Sequence, residues 1–153
     1  MDRTLVIDQT DLAILRIMME NADLSYAEIG KRVFVSGGTV HVRVSKMKQM
    51  GIIRGTKLDI DVSKLGWDIT SYLGIYLDKS SLYDTVAEQL AEIPEVINLH
   101  YTTGQYSIFA RIQCRDTRHL REVLHDKIQK VKGIQRTETI ISLEESLNRP
   151  VPV

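Results

Sequence analysis

The segment from Lys31 to Lys57 carries seven charged side chains, and all seven are basic. No Asp or Glu lies between Glu28 and Asp59, although the whole chain has 20 basic and 20 acidic residues and a formal net charge of zero. The rest of the chain is therefore acidic overall. A neutral protein that concentrates its positive charge in one short segment creates a local field, which is expected where a polyanion binds.

Capping signals predict three short helices in this first part of the chain. Apolar residues at helical spacing follow Asp8, a residue type that favours the N-cap position. Ser25 and Glu28 form the S-x-x-E pattern of a capping box, and Ser36 is expected to cap a third helix. Residues 52–60 then predict a strand, a turn and a second strand.

Two short helices joined tightly, the second of them basic, match the geometry that enters a major groove. Small or polar residues at the leading end of the third helix would fit a groove, and flanking lysines and arginines would bind phosphates. The hairpin at residues 52–60 would act as a wing against the DNA backbone. The predicted contacts to double-stranded DNA are Ser25, Lys31, Ser36, Gly37, Gly38, Thr39, His41, Arg43, Ser45, Lys46, Arg54 and Lys57. The alternative is a solvated basic face on an ordinary helical bundle.

The second half of the chain predicts the order strand, helix, strand, strand, helix, strand. This order is typical of a ferredoxin-like α+β arrangement, in which both helices cover one face of a four-stranded sheet. The other face would be bare in a monomer, although the first strand is apolar on both sides. A second copy of the domain would cover it most simply, and the alternative is that the first domain folds back over it. The predicted strands are residues 70–77, 96–103, 106–114 and 134–143, with a hairpin near Gly104 and Gln105.

The chain is therefore predicted to be an α+β protein of two domains. Residues 1–60 form a winged helix-turn-helix, residues 61–69 a linker, and residues 70–153 a ferredoxin-like domain. No signal-peptide pattern or bilayer-spanning apolar run occurs, and Cys114 is the only cysteine, which together favour a cytoplasmic protein. No metal-ligand spacing, phosphate-binding loop or nucleophile–base pair is recognisable. We therefore expect neither an enzyme nor a bound metal or cofactor.

Several short motifs follow one another along almost the entire chain. They are Ile7-Asp8-x-x-Asp11-x-x-Ile14-Leu15, Ala27-Glu28-Ile29-Gly30, Ser36-x-x-Thr39-Val40-x-x-Arg43-Val44, Gly51-Ile52-Ile53-x-Gly55, Leu65-Gly66, Tyr101-Thr102-Thr103-Gly104-x-Tyr106-Ser107-Ile108-Phe109 and Gln135-x-Thr137-Glu138-Thr139-x-Ile141-Ser142-Leu143. In this order and spacing they resemble the Lrp/AsnC family, the feast/famine transcription regulators of bacteria and archaea. The last two motifs resemble the asparagine-responsive members in particular.

The resemblance implies a winged helix-turn-helix followed by an amino-acid-binding, or RAM, domain. It implies homodimers paired through their sheets, usually assembled into octamers, with an amino-acid effector between neighbouring dimers. Asparagine is the effector that the last two motifs imply. Carried over by position, the ligand contacts on one dimer are Tyr101, Thr102, Thr103, Gly104, Gln105, Tyr106 and Ser107, and those on the adjoining dimer are Gln135, Thr137, Glu138 and Thr139.

These residues suit the chemistry of an amino acid, because a zwitterion needs acceptors for its ammonium group and donors for its carboxylate. Glu138 or a free carbonyl near Gly104 could accept from the ammonium group, and backbone N–H groups at Gly104 and Gln105 could donate to the carboxylate. Ser107 departs from the family pattern, since many members carry an acidic residue there. Gly37 also departs, since a proline often follows the serine that opens the third helix, and a looser start of that helix is expected.

RNA binding through the sheet, or amino-acid sensing without specificity for duplex DNA, is the alternative interpretation of the chain. An RNA-binding sheet is basic and exposes aromatic side chains. The second half of this chain is acidic overall, which disfavours RNA binding.

Overall fold

The computed structural model describes residues 7–153, which form two compact units. One unit comprises the residues up to Asp59 together with Leu147–Val153, and the other comprises Ile60–Ser146. Across the described residues, no helix is both long and apolar enough to cross a bilayer. The α+β fold class is confirmed, and the three-part division of the chain into domains and linker stays a prediction.

Three helices form the first unit, and each begins at the cap that the sequence predicts. They are α1 (Gln9–Glu20), α2 (Tyr26–Val33) and α3 (Gly37–Gln49). The carboxylate of Asp8 accepts from the N–H of Asp11 at 2.9 Å, and the carboxylate of Asp11 accepts from the N–H of Asp8 at 3.0 Å. Ser25 and Glu28 form the same reciprocal capping box on α2. The capping residues therefore fix where the helices start.

The core of the first unit lies where the three helices meet. Val40, Val44 and Met47 of α3 are buried and form the inner stripe of this helix. They belong to one apolar cluster with Ile14 of α1 and Ile29 of α2. Since α3 buries this stripe, its opposite face points to solvent.

The predicted hairpin at residues 52–60 is wrong, because residues 53–61 form no strand. A two-stranded ribbon is marginally stable unless a third strand or a helix supports it. Leu58 is 91% exposed, so its side chain gives no apolar contact that could hold two strands together. Arg54 and Lys57 therefore lie on an exposed, irregular connecting segment.

The second unit is a four-stranded antiparallel sheet with helices packed on one face, as predicted. Its elements are β1 (Ile69–Leu77), α4 (Tyr83–Ala91), β2 (Val96–Tyr101), β3 (Ile108–Cys114), α5 (Thr117–Glu122) and β4 (Ile134–Ile141). The strand order is β2-β3-β1-β4, and the sequence of elements is that of the ferredoxin-like fold. A π turn and a 3₁₀ turn continue α5 through Lys130.

The hairpin between β2 and β3 has shorter strands than the sequence predicts. β2 ends at Tyr101 and β3 begins at Ile108, so residues 102–107 form a loop, which we call the hairpin loop. The N–H of Thr102 donates to the carbonyl of Ser107 at 3.2 Å and closes this loop. The loop projects beyond the last paired residues of the two strands.

The two faces of the sheet differ in what covers them within this unit. Leu73 and Ile75 of β1 are fully buried and pack with the helices. Tyr72 and Phe109 lie on the opposite face, where their rings stack with centroids 5.9 Å apart. Ile140 of β4 pairs with Tyr72 and is 52% exposed. This second face, which we call the open face, exposes these apolar side chains and carries no helix of its own unit.

Candidate DNA interface and effector site

The outer face of α3 is exposed and basic. His41 and Lys46 are exposed and Ser45 is partly exposed, opposite the buried stripe of the helix. Within the described chain, no carboxylate oxygen lies within 4.0 Å of the ammonium groups of Lys31, Lys46 or Lys57. The positive charges of these three lysines are therefore displayed on the surface and are not neutralised by a described carboxylate.

The start of α3 is capped and closely packed, which corrects the expectation of a loose start. The N–H of Thr39 donates to Oγ of Ser36 at 3.1 Å. A Cβ at Gly37 would lie 3.2 Å from the backbone N and Cα of Ala27, so glycine permits the close approach of α2 and α3. Gly37 is therefore explained by helix packing. A Cβ at Gly38 would meet only Oγ of Ser36, at 3.8 Å, so the surface there is open.

Arg43 joins α3 to the N-terminus of α1. Its Nη1 lies 2.7 Å from Oδ2 of Asp8 and 2.9 Å from Oδ1 of Asp11. Asp11 is 1% exposed, and the hydrogen bond from Arg43 lowers the pKa of Asp8 and raises that of Arg43 itself. Arg43 is therefore not the free phosphate-binding cation that the sequence predicts, because two carboxylates already hold it. The two carboxylates are 32 and 35 residues away in the sequence, which is why helical spacing alone did not reveal the pairing.

Among the exposed apolar residues of this unit, Val42 and Phe34 lie within or just before α3 and are missing from the predicted interface. Val42, in the middle of α3, is 67% exposed. Phe34, between α2 and α3, is 94% exposed and adopts a left-handed backbone conformation with φ of 61°. The sequence-based set contains only polar, basic and small residues. The helical period was the signal for Val42, since it lies four residues after Gly38 and four before Lys46.

A cluster of polar and aromatic side chains lies on the open face beside the hairpin loop. Tyr106 donates its hydroxyl to Oε2 of Glu138 at 2.7 Å, and Tyr76 donates its hydroxyl to Oε1 at 3.1 Å. Gln105 donates its side-chain amide to the hydroxyl of Tyr76. The guanidinium carbon of Arg136 lies 3.9 Å from the centroid of the Tyr76 ring. We call these five residues the Glu138 cluster, and three of them were predicted as ligand contacts.

The register of β1 and β4 explains why the cluster forms. Gly74 pairs with Glu138, and Tyr76 pairs with Arg136, so all four positions share one face. A Cβ at Gly74 would lie 2.4 Å from the ring of Tyr106, which occupies the space above the glycine. The glycine thus lets Tyr106 reach Glu138. Tyr76 and Arg136 were missed because the pairing of the first and last strands is not visible in the sequence.

The other predicted ligand residues are spread over the loop and both faces of the sheet. Thr137 and Thr139 pair with buried residues of β1, so they lie on the face that packs with the helices. Tyr101 lies on that side too, with its ring centroid 4.3 Å from that of Tyr83. Gln135 is exposed where the register of β1 and β4 shifts. The rest, Thr102, Thr103, Gly104 and Ser107, belong to the hairpin loop. A single chain therefore does not bring all the predicted ligand residues together.

The carboxylate of Glu138 is held mainly by neutral donors. The hydrogen bond from Tyr106 lowers the pKa of Glu138 and raises the pKa of Tyr106. The Nη2 atom of Arg136 lies 3.8 Å from Oε1, which is the outer limit of an ion pair. A carboxylate that is hydrogen-bonded to hydroxyl groups remains ionised and keeps its negative charge. Glu138 can therefore attract an ammonium group.

The two units together define a ligand-regulated, DNA-binding transcription factor: a helix-turn-helix with a basic outer helix, and a ferredoxin-like unit with a polar cluster. Residues 7–54 match the family model described as winged helix-turn-helix DNA-binding, and residues 70–152 match the Lrp/AsnC ligand binding domain. The chain belongs to the Lrp/AsnC family.

Known proteins resemble the chain over nearly its whole length. Regulatory protein AsnC of Haemophilus influenzae is 44% identical over 145 residues, which cover 95% of this chain and 97% of that protein. The solved structure of Escherichia coli AsnC is 42% identical, has a TM-score of 0.93, and covers 97% of this chain and 99% of its own. A crystal structure of a Neisseria meningitidis transcriptional regulator in complex with L-Met is 19% identical and has a TM-score of 0.89, with 94% of each chain covered, which shows a shared fold.

These findings confirm the family resemblance and the predicted class of function. The chain is a transcriptional regulator with a DNA-binding helix-turn-helix domain and an amino-acid-binding domain. They favour this interpretation over RNA binding or amino-acid sensing without duplex specificity. The identity of the amino acid, the contact residues and the oligomeric state are proposals.

Proposed function

We propose that the chain binds duplex DNA by placing α3 in the major groove. The exposed outer face of α3, whose Lys46 has no described carboxylate within 4.0 Å, is the observation that supports this most. The N-terminal half of α3 contacts base edges, while the surrounding lysines and arginines bind phosphates. The proposed contacts are Ser25, Lys31, Ser36, Gly38, Thr39, His41, Ser45, Lys46, Arg54 and Lys57. We further propose that the protein acts in the cytoplasm, and by binding rather than by catalysis.

We propose that the amino-acid effector is asparagine and that Glu138 binds its ammonium group. The ionised carboxylate of Glu138 lies beside the hairpin loop, whose backbone N–H groups suit the effector carboxylate. Gln105 is close enough to Tyr76 to donate its amide, and it can pair with the side-chain amide of asparagine in the same neighbourhood. The resemblance of the hairpin loop and β4 to the asparagine-responsive members supports the choice of asparagine.

We propose that the chain forms homodimers through the open faces of two sheets, and that dimers assemble further into octamers. The exposed apolar surface of Tyr72, Phe109 and Ile140 supports pairing with a second copy. The predicted ligand contacts lie on opposite faces of β4, which supports an effector site completed by a neighbouring dimer. Thr137 and Thr139 would then contact the ligand from the second dimer.

In this mechanism the effector acts on DNA binding through the assembly. A dimer presents two copies of α3 to successive major grooves, and the spacing of dimers decides which DNA geometry fits. An amino acid bound between dimers changes that spacing. A coupling free energy of about 1–3 kcal/mol between the two sites is enough for a switch.

The DNA-binding proposal is tested by the salt dependence of affinity for a mixed-sequence duplex. Lys46→Ala should weaken binding and reduce the slope of log K against log salt by about one unit, because one phosphate contact is lost. Glu20→Ala, a charge change at the far end of α1, is a control that should leave the slope unchanged. An unaltered slope in Lys46→Ala would remove that residue from the interface.

The effector proposal is tested by a calorimetric screen of the twenty amino acids, combined with light scattering. Asparagine should bind most tightly, and its binding should change the mass or the shape of the assembly. Tighter binding of another amino acid would contradict asparagine as the effector while leaving the amino-acid site in place. Binding that is identical in an isolated dimer would contradict a site between dimers.

A further inference from the structure

Val42 occupies the centre of the outer face of α3. The buried residues of this helix are Val40, Val44 and Met47. At 3.6 residues per turn, Val42 points away from that stripe, and its side chain is 67% exposed. Gly38 and Lys46, one turn before and after it, lie on the same exposed face. The most outward-pointing side chain of the basic helix is therefore apolar.

The surroundings of Val42 make it more than an ordinary exposed apolar residue, which by itself needs no explanation. Gly38 has no side chain, and the space above it is open within the described residues. The surface of a binding partner can therefore approach Val42 closely at this end of the helix. Lys46, one turn after Val42, is exposed and attracts a polyanion to the same face. A β-branched residue also has one strongly preferred rotamer in a helix, so its two methyl groups are presented in a fixed position.

In the major groove the 5-methyl group of thymine is the one apolar group among the base edges. Cytosine carries only a hydrogen atom at the corresponding C5 position, and the purines present polar N7 and O6 or N6 atoms in the groove. We propose that Val42 is a specificity-determining residue that packs against the methyl group of a thymine in each half-site. This inference rests on the proposed placement of α3 in the major groove. It adds a contact that distinguishes thymine from cytosine, which lysine–phosphate contacts cannot do.

The proposal is tested with deoxyuridine, which differs from thymidine only by the missing methyl group. A duplex is first selected from a random-sequence pool by the full chain, and each thymine is then replaced singly by uracil. Replacement of the contacted thymine in one half-site should weaken binding of the unaltered chain about 4-fold, as expected for one buried methyl group. Val42→Ala should bind the thymine duplex more weakly and should lose the uracil penalty at that position alone.

Two controls separate this proposal from the DNA-binding proposal on which it rests. Lys46→Ala should bind both duplexes more weakly and should keep the full uracil penalty. Val42→Ala should leave the salt slope unchanged, because no charge is removed. If uracil is tolerated at every position, or if Val42→Ala keeps the same penalty, the thymine contact is overturned while DNA binding stands. A chain that selects no duplex would overturn both proposals.

Discussion

The two units hold acidic side chains in different ways. In the first unit, Asp8 and Asp11 share the guanidinium of Arg43, and Asp11 is almost fully buried. In the second unit, Glu138 is partly exposed and accepts hydrogen bonds from two tyrosine hydroxyls. An ion pair neutralises both partners and joins two elements, whereas hydroxyl donors leave a carboxylate its charge. We infer that the first arrangement positions a helix and the second is suited to bind a ligand.

Glu95 shows that the way a carboxylate is held depends on the side chains that bond to it and not on the unit to which it belongs. It also belongs to the second unit, but it is 7% exposed and bonded to Nζ of Lys127 at 2.7 and 2.8 Å. Nε2 of His119 lies 3.2 Å from the same carboxylate. Glu95 therefore resembles Asp11 rather than Glu138. It offers a matched control for experiments on Glu138.

Removal of the Arg43 guanidinium should have the largest effect on folding. Arg43→Ala leaves Asp11 buried without its cation, so the free energy of unfolding should fall by about 2–3 kcal/mol. This is below the range for fully buried pairs, because the Arg43 side chain is 28% exposed. Urea unfolding measures the change. DNA affinity should also fall, but the salt slope should stay the same, since Arg43 holds the helix and not a phosphate.

Lys46→Ala is the matched control for Arg43→Ala on the same helix. It should change the free energy of unfolding by less than about 0.5 kcal/mol, because Lys46 is exposed. Arg43→Ala should therefore lower the stability and keep the salt slope, whereas Lys46→Ala should keep the stability and reduce the salt slope. Equal stability of both variants would show that Arg43 does not position α3. It would also contradict the inference that the two units use their carboxylates differently.

A methyl group at position 74 should disturb the Glu138 cluster nearly as strongly. In Gly74→Ala the new Cβ would lie 2.4 Å from the ring of Tyr106, which must move away. We expect a loss of about 1–3 kcal/mol in the free energy of unfolding, together with weaker effector binding. Gly38→Ala is a control of the same chemistry at an open site, and it should not destabilise the chain. Unchanged asparagine affinity in Gly74→Ala would show that Tyr106 does not belong to the effector site.

Short-range features of the fold could be predicted from the sequence, while long-range side-chain contacts could not. The capping residues Asp8, Ser25 and Ser36 act within three residues of themselves, and all three helix starts were predicted. Short apolar runs and the helical period predicted four strands and two helices of the second unit in the right order. The hairpin at residues 52–60 failed because turn residues and alternation do not reveal whether a third strand supports the ribbon.

The candidate site was predicted in part for the same reason. Glu138 and Tyr106 were identified through resemblance, but their hydrogen bond joins residues 32 apart in the sequence. Tyr76 enters the cluster only because β1 pairs with β4 in a particular register. For Arg43 the prediction failed in the opposite direction. Its charge was predicted to be free, but two carboxylates that are distant in the sequence hold it. The residue types indicated the chemistry of the site, whereas the bonding partners of each side chain could be identified only from the fold.

Parallel Glu138→Gln and Glu95→Gln variants test whether the two carboxylates of the second unit have different roles. Glu138→Gln removes a charge that we propose binds the ammonium group, so asparagine affinity should fall at least about 10-fold, with little change in unfolding. Glu95→Gln should lower the free energy of unfolding, because Lys127 loses its ionised partner. Its asparagine affinity should stay the same in folded protein. Calorimetry measures the asparagine affinity, and urea unfolding measures the stability. A loss of affinity in Glu95→Gln but not in Glu138→Gln would assign the binding role to Glu95.

The smallest expected effect concerns Phe34, which closes α2 in a left-handed conformation with φ of 61°. A residue with a Cβ is strained there, whereas glycine adopts this conformation freely. Phe34→Gly should therefore raise the free energy of unfolding by about 0.5–1 kcal/mol, after the greater freedom of the unfolded chain is deducted. Phe34→Ala keeps the Cβ and should give no such gain. Equal stabilities of the two variants would show that the conformation at Phe34 carries no strain, and that the turn between α2 and α3 does not limit the stability of the first unit.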